Sequence, residues 1–258
     1  MPQFQYISDI HLELWATNPA FYQVILKPSA PYLILAGDIC SYNKKAKLHP
    51  FLEYCSNNFE KTFMVAGNHE YYAYKTPMSK VEQWLKESCS AFPNIHYLQQ
   101  DTYLLEDKYT IIGCTLWTDI PPEMDGEVIQ CLNDFSQITN DDGSAFRPIN
   151  MRQLFQTHVK WLDAAITSAN DNQKIPIVIT HHLPSPTLTD HRYKDHTLNC
   201  CFSSPVLEQL HNQPAAWFYG HSHVDSVQTF NNTTCYINAL GYPGERKEPP
   251  EPTIAKLA

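Results

Sequence analysis

"TFMVAGNHE", residues 62 to 70, is an apolar run that stops at a glycine and continues into an amide, an imidazole and a carboxylate. A short apolar run of this kind reads as a buried strand whose carboxyl end carries the polar cluster. Four further segments repeat it: "FQYISDIH" (4–11), "YLILAGDI" (32–39), "IPIVITHH" (175–182) and "AAWFYGHSH" (215–223). Helical patterns lie between them. Leu48, Leu52, Cys55 and Phe59 mark the first, and Met78, Val81, Trp84, Leu85 and Ser88 the second. The most regular is "MRQLFQTHVKWLDAAITSAN" (151–170), with Leu154, Phe155, His158, Trp161, Leu162 and Ala165 on one face. Strands alternating with helices predict an α/β fold.

Other strands follow one another closely: "NIHYL", "DTYLLED" and "YTIIGCTLW" between 94 and 117, then "SVQTF" and "TCYINAL" around "NNT" at 231–233. The last two form an expected hairpin, because Asn tolerates the positive φ of tight turns. The sheets are therefore expected to be mixed. The span from Pro121 to Pro148 is polar and reads as a lid or a mobile loop. The tail "NALGYPGERKEPPEP" reads as strand, turn and proline-rich end, not as a catalytic element. There is no internal repeat and no evident linker, so residues 1–258 are expected to form a single domain.

Composition narrows the function classes. A chain of 258 residues, 43% hydrophobic and 17% charged, can bury a substantial core. Its net charge of −9 weighs against an electrostatic grip on nucleic acid or anionic lipid. No stretch approaches the roughly 20 apolar residues that cross a bilayer, and the start has no basic segment followed by an apolar one. A cytoplasmic protein with no membrane partner is the expectation. The eight cysteines lack CxxC spacing, so they are expected to be reduced and structural.

Each polar cluster has a modest explanation by itself. Asp9-Ile10-His11 reads as a cap and a surface histidine, Gly37-Asp38 as a turn, and Asn68-His69 as a helix start. Thr180-His181-His182 and His221-Ser222-His223 complete the set. Together they share one property: all lie at carboxyl ends of strands, where open α/β sheets bind ligands. Oxygen and imidazole donors without thiolate suit divalent Mn, Fe, Zn or Co. The donors are too many for one ion, and two ions about 3.5–4 Å apart need a bridge, for which a carboxylate is the natural group.

In this order the blocks "DIH", "GD", "GNHE", "THH" and "GHSH" resemble those of the calcineurin-like metallophosphoesterases, from residue 9 to 223. The resemblance implies a four-layer α/β/β/α sandwich of two mixed sheets flanked by helices. It implies two divalent metal ions (Mn, Fe, Zn, Ni or Co), with Asp9, His11 and His223 on the first, Asn68, His181 and His221 on the second, and Asp38 bridging. Either His181 or His182 fits the fourth block; the resemblance favours His181 as ligand and His182 in support. It further implies hydrolysis of a phosphate monoester or diester by a metal-bridging hydroxide, with His69 as general acid. Glu70 reads as a helix-start carboxylate or a partner of a ligand.

Departures from the family limit the substrate. The protein Ser/Thr phosphatases continue "GD" into Gly-Asp-x-x-Asp-Arg-Gly, whose second Asp supports the catalytic histidine and whose Arg grips phosphate. Here "GDICSYN" has Ser41 and Tyr42 at those places. This removes most of the case for a protein phosphatase and leaves His69 without an identified orienting partner. In "DHRYKDH" (190–196), Arg192 and Lys194 are candidate phosphate contacts beside a solvated-loop reading. Tyr71, Tyr72 and Tyr74 either stack on a substrate base or pack inward. A small phosphorylated substrate is the expected partner. Two rivals remain: a non-catalytic metal-binding scaffold or interaction module, as in the retromer subunit of this fold, and a mononuclear hydrolase.

Overall fold

The computed structural model describes residues 2–246, 248 and 251–257. The strands are β1 (Gln3–Ile7), β2 (Tyr32–Ala36), β3 (Lys61–Val65), β4 (Ile95–Tyr97), β5 (Asp101–Leu105), β6 (Tyr109–Gly113), β7 (Ile175–Ile179), β8 (Ala216–Phe218), β9 (Asp225–Phe230), β10 (Thr233–Asn238) and β11 (Ile254–Lys256). The helices are α1 (Pro19–Ile25), α2 (Leu48–Asn58), α3 (Met78–Ser90), α4 (Asp125–Cys131), α5 (Asp134–Gln137) and α6 (Pro148–Asp171), with short 3-10 turns between elements.

Two mixed sheets result. The first runs β11-β1-β2-β3-β4, parallel except for β11, and the second runs β5-β6-β7-β8-β10-β9, with antiparallel pairs at both ends. Strand alternation decides the layering, since successive side chains leave a strand on opposite faces. Phe4, Tyr6, Ile34, Phe63 and Val65 of the first sheet meet Ile111, Ile177, Ile179 and Phe218 of the second in one buried cluster between the sheets. Their neighbours Ile7, Leu33, Leu35, Met64, Val178 and Trp217 face outward into a second cluster that takes in the helices. The expected four-layer sandwich is thus present.

The helix periodicity holds with small shifts. In α6 the buried stripe is Met151, Phe155, His158, Leu162, Ile166 and Ala169, while Leu154, Trp161 and Ala165 are half-buried along its edge. In α3 it is Val81, Leu85 and Cys89. Pro148 opens α6, where its missing N–H costs nothing, and the Asn150 side chain accepts the Arg147 N–H at 2.9 Å. The expected hairpin forms with Thr233 opposite Phe230 and Asn231 at φ 50°.

One expectation is corrected. Of the lid and mobile-loop readings of 121–148, the mobile loop fails: the span forms α4 and α5 and buries Val128, Asp134, Phe135, Ile138 and Phe146. Beyond the strand-turn-tail stretch 238–252, β11 pairs with β1; Lys247, Pro249 and Pro250 of that stretch lie outside the described residues. All eight cysteines are free, six of them buried. No described helix is long and apolar enough to cross a membrane.

Candidate metal centre

Strands β1, β2 and β3 run parallel in the first sheet and β7 and β8 in the second, so within each sheet their carboxyl-end loops leave at one edge. The loops after β1 and β2 continue side by side, with Asp9 N donating to Gly37 O (3.0 Å) and His11 N to Asp38 O (2.9 Å). The two sheets are joined there, since Leu240 N donates to Ser8 O and Gly241 N to Asp9 O. Five cluster residues have left-handed backbones: Asp9 (φ 54°), His11 (49°), Asp38 (55°), His221 (72°) and His223 (47°). Such conformations cost about 1–3 kcal/mol each and persist where the surroundings hold them, here to turn side chains into one space. Close approach also requires glycine: a Cβ on Gly220 would stand 2.8 Å from Asp9 Oδ2 and 2.9 Å from Ala36 O.

The side chains converge in two groups about Asp38. Asp9, His11 and His223 have donor atoms within 4.8 Å of one another, as do Asp38, His181 and His221. His11 Nε2 lies 3.2 Å from His223 Nε2 and 3.8 Å from Asp38 Oδ2. On the other side His181 Nε2 lies 3.2 Å from Asn68 Oδ1, 3.2 Å from His221 Nδ1 and 3.4 Å from Asp38 Oδ2. His69 forms a third group with His11 and Asp38, its Nε2 4.0 Å from Asp38 Oδ2.

The outer hydrogen bonds show what these atoms are for. His181 Nδ1 donates to Ala36 O (2.9 Å), His223 Nδ1 faces Glu245 Oε2 (2.7 Å), and His11 Nδ1 faces Glu13 Oε1 (3.3 Å). With the outer nitrogen protonated toward an acceptor, the inner nitrogen keeps its lone pair, the arrangement that second partners impose on metal-binding histidines. Asn68 follows the same logic. Its Nδ2 donates to Asp134 Oδ1 (2.8 Å) and Tyr72 OH (3.1 Å), which turns Oδ1 toward His181. Lone pairs meeting lone pairs without a shared proton fit a bound cation.

Burial opposes a charged His181, yet Asp38 pushes its imidazole up to about 10, a proton that a cation bound between them would displace. Burial opposes ionisation of Asp38, but His181, His69 and His11 hold its carboxyl well below the usual range. Burial and the imidazoles of His182 and His181 drive His221 well below its ordinary value, which leaves it neutral. His182 is pushed down to about 3 by burial and by His181. It stays outside the cluster, with Nδ1 3.3 Å from Thr115 O and its ring against His221 and Trp117, whereas His181 enters it.

Residues 4–225 match the sequence profile of the calcineurin-like phosphoesterases. The chain belongs to that family. Over 262 aligned residues it is 29% identical to protein L509 of Acanthamoeba polyphaga mimivirus, covering 94% of this chain and 92% of the relative. Among solved structures it resembles the phosphopantetheinyl hydrolase PptH of Mycobacterium tuberculosis, with a TM-score of 0.65, 18% identity and 97% and 95% of the two chains covered. A dimetal phosphatase from Danio rerio gives 0.54, with 13% identity and 93% and 87% covered. At such identities the likeness shows the fold. Family, fold and His/Asp clusters together support a phosphoester hydrolase that binds divalent metal.

This calcineurin-like phosphoesterase also uses residues that its blocks do not announce. Glu13, two positions after His11, lies 3.1 Å from His69 Nδ1 and accepts the Ser41 N–H at 3.1 Å. Despite burial, hydrogen bonds from His11 and His69 draw its carboxyl down to about 2. Burial works against a charged His69, but Asp38 and Glu13 push its imidazole up to about 9. Tyr242 lies across His11 and His223, its hydroxyl 3.3 Å from His69 Nε2, so "GYPGE" is part of the site and not merely a turn. Only the dipeptide proximity of Glu13 to "DIH" was a readable signal; Asp134, Tyr242 and Glu245 come from distant segments.

Glu70, in the first turn of the 3-10 segment His69–Tyr71, ties two of the cluster's loops together. Its carboxylate accepts four backbone N–H groups: Asp38 (3.0 Å), Ile39 (2.6 Å), Cys40 (3.1 Å) and Gly67 (2.7 Å). Burial and the charge of Asp38 push its carboxyl up to about 7, yet every one of these contacts is a donor, which favours the ionised form.

Beside the cluster opens a cavity of about 420 Å³ with Tyr72, Asn133, Tyr193, Asn199, Phe202 and Tyr242 in its wall. Arg192 and Lys194 do not line it. Arg192 is exposed and paired with Asp190 at 2.8 Å. The three tyrosines divide: Tyr71 is buried against Trp117, Tyr72 lies on His69 with ring centres 4.2 Å apart, and Tyr74 is exposed.

Proposed function

We propose that this protein hydrolyses a phosphate monoester or diester of a small molecule at a dinuclear centre. Asp9, His11 and His223 would hold one divalent ion, Asn68, His181 and His221 the other, and Asp38 both. Mn, Fe, Zn, Ni and Co all suit this donor set. Two such ions polarise phosphoryl oxygens and lower the pKa of water, so that hydroxide is available near neutrality. The observation that carries this reading is that His11, His181 and His223 have their outer nitrogens occupied while their inner nitrogens turn toward Asp38 and Asp9.

The remaining work falls to the chain. His69 presents Nε2 to the cavity and donates its proton to the leaving oxygen. Tyr72 packs on its ring. The cavity has room for a compact organic group and supports a small phosphorylated substrate over a folded one.

The test is metal reconstitution. Protein stripped and resupplied with each ion should hydrolyse a chromogenic monoester or diester, and His69→Ala should retain its metal while turnover falls by about 100-fold or more. No hydrolysis with any ion would end the reading. A metal count near zero would favour the interaction module, bound metal without hydrolysis the metal-binding scaffold, and one ion per chain the mononuclear hydrolase.

A further inference from the structure

We infer that Glu13 is the positioning residue for His69, holding the imidazole so that Nε2 faces the cavity. The inference rests on the hydrolytic reading above, with His69 as proton donor. Glu13 sits in the 3-10 turn Leu12–Leu14 that follows β1, and its side chain is only a tenth exposed. Three groups fix its carboxylate. Oε1 faces Nδ1 of His69 (3.1 Å) and Nδ1 of His11 (3.3 Å), and Oε2 accepts the backbone N–H of Ser41 (3.1 Å).

A carboxylate facing an imidazole nitrogen requires the proton on that nitrogen, so Nδ1 of His69 carries a hydrogen. The opposite nitrogen is thereby directed at the cavity, where the Tyr242 hydroxyl stands 3.3 Å away. The ring lies between Tyr72 and His11, at centroid distances of 4.2 and 4.3 Å, which sets its plane but not which edge faces inward. Glu13 decides the edge. As the P–O bond to the alcohol breaks, the electron pair left on the alcohol oxygen takes the Nε2 proton, while water supplies the new oxygen on phosphorus. Glu13 faces only the outer nitrogen of His11, so it stands one ring away from the donor cluster.

The effect should depend on the leaving group, because an alcohol of low pKa departs without a proton and a poor one does not. The full-length, metal-loaded protein is compared as wild type, Glu13→Gln and His69→Ala on a p-nitrophenyl ester and an alkyl ester, with metal per chain measured for each. The single carbonyl oxygen of Gln cannot serve both the ring nitrogens and the Ser41 N–H. Glu13→Gln should keep its metal, remain within about 3-fold on the p-nitrophenyl ester and lose about 10–100-fold on the alkyl ester, the usual effect of removing an orienting partner. His69→Ala should change in the same direction and further. On zinc-loaded wild type, nitrogen-15 NMR should show a protonated, hydrogen-bonded Nδ1 at His69. Equal losses on both esters, loss of metal from Glu13→Gln, or an unprotonated Nδ1 would each overturn the role of Glu13 alone. Wild type inactive on both esters would overturn the hydrolytic reading and this inference with it.

Discussion

Asp134 Oδ1 lies 2.8 Å from Nδ2 of Asn68, 66 residues away in sequence, and accepts the Tyr72 hydroxyl at the same distance. The contact fixes the rotation of the Asn68 amide and so which of its two ends meets His181. Asp134→Ala frees that amide to turn. Under the proposed dinuclear reading, affinity for the ion that Asn68 would hold should fall by about 10–100-fold, read as loss of one tight step in a calorimetric metal titration. Two unchanged steps would mean that packing alone orients Asn68.

Glu70 ties the loop after β2 to the loop after β3 through four N–H groups. Glu70→Gln keeps the shape but turns an amide donor toward two of those donors. Mispaired buried groups of this kind should cost about 3 kcal/mol in urea unfolding at unchanged m-value. A loss below about 0.5 kcal/mol would show that the loops are held without Glu70.

His158, on the buried stripe of α6, has an Nδ1 with no partner, and burial pushes its imidazole down to about 4. The unfolded chain binds its proton near pH 6.5, so between that value and pH 4 the unfolded state carries more protons than the folded one. His158 therefore contributes stability that is complete above about pH 6.5 and is lost as the pH falls toward 4. Between about pH 7.5 and pH 5 the wild type should lose about 2 kcal/mol more than His158→Gln. Parallel pH profiles for the two proteins would refute this.

Much of the architecture was legible because it follows from local repetition. Apolar runs ending in Gly-Asp or Gly-Asn-His read as strands and became β2 and β3, and a 3.6-residue stripe read as a helix became α6. Reading 121–148 as a mobile loop failed because Asp134 and Phe135 are buried by other parts of the chain, which polarity within the span does not reveal. Arg192 and Lys194 drew notice as cations near a block, yet Arg192 turns to its own neighbour Asp190.

Apart from the metal sites that the family resemblance implies, the sequence by itself determined which polar residues stand at the strand ends: Asp9, His11, Asp38, Asn68, His69, His181, His182, His221 and His223. Order along the chain and the common direction of parallel strands suffice for that. Only the tertiary structure decided what faces each outer nitrogen and amide: Glu13 for His69 and His11, Glu245 for His223, Asp134 for Asn68, and His181 over His182 for the place beside Asp38. These are contacts set by hydrogen-bond distances of about 3 Å between side chains, and apart from Glu13 and His11 they join segments whose proximity no local pattern encodes.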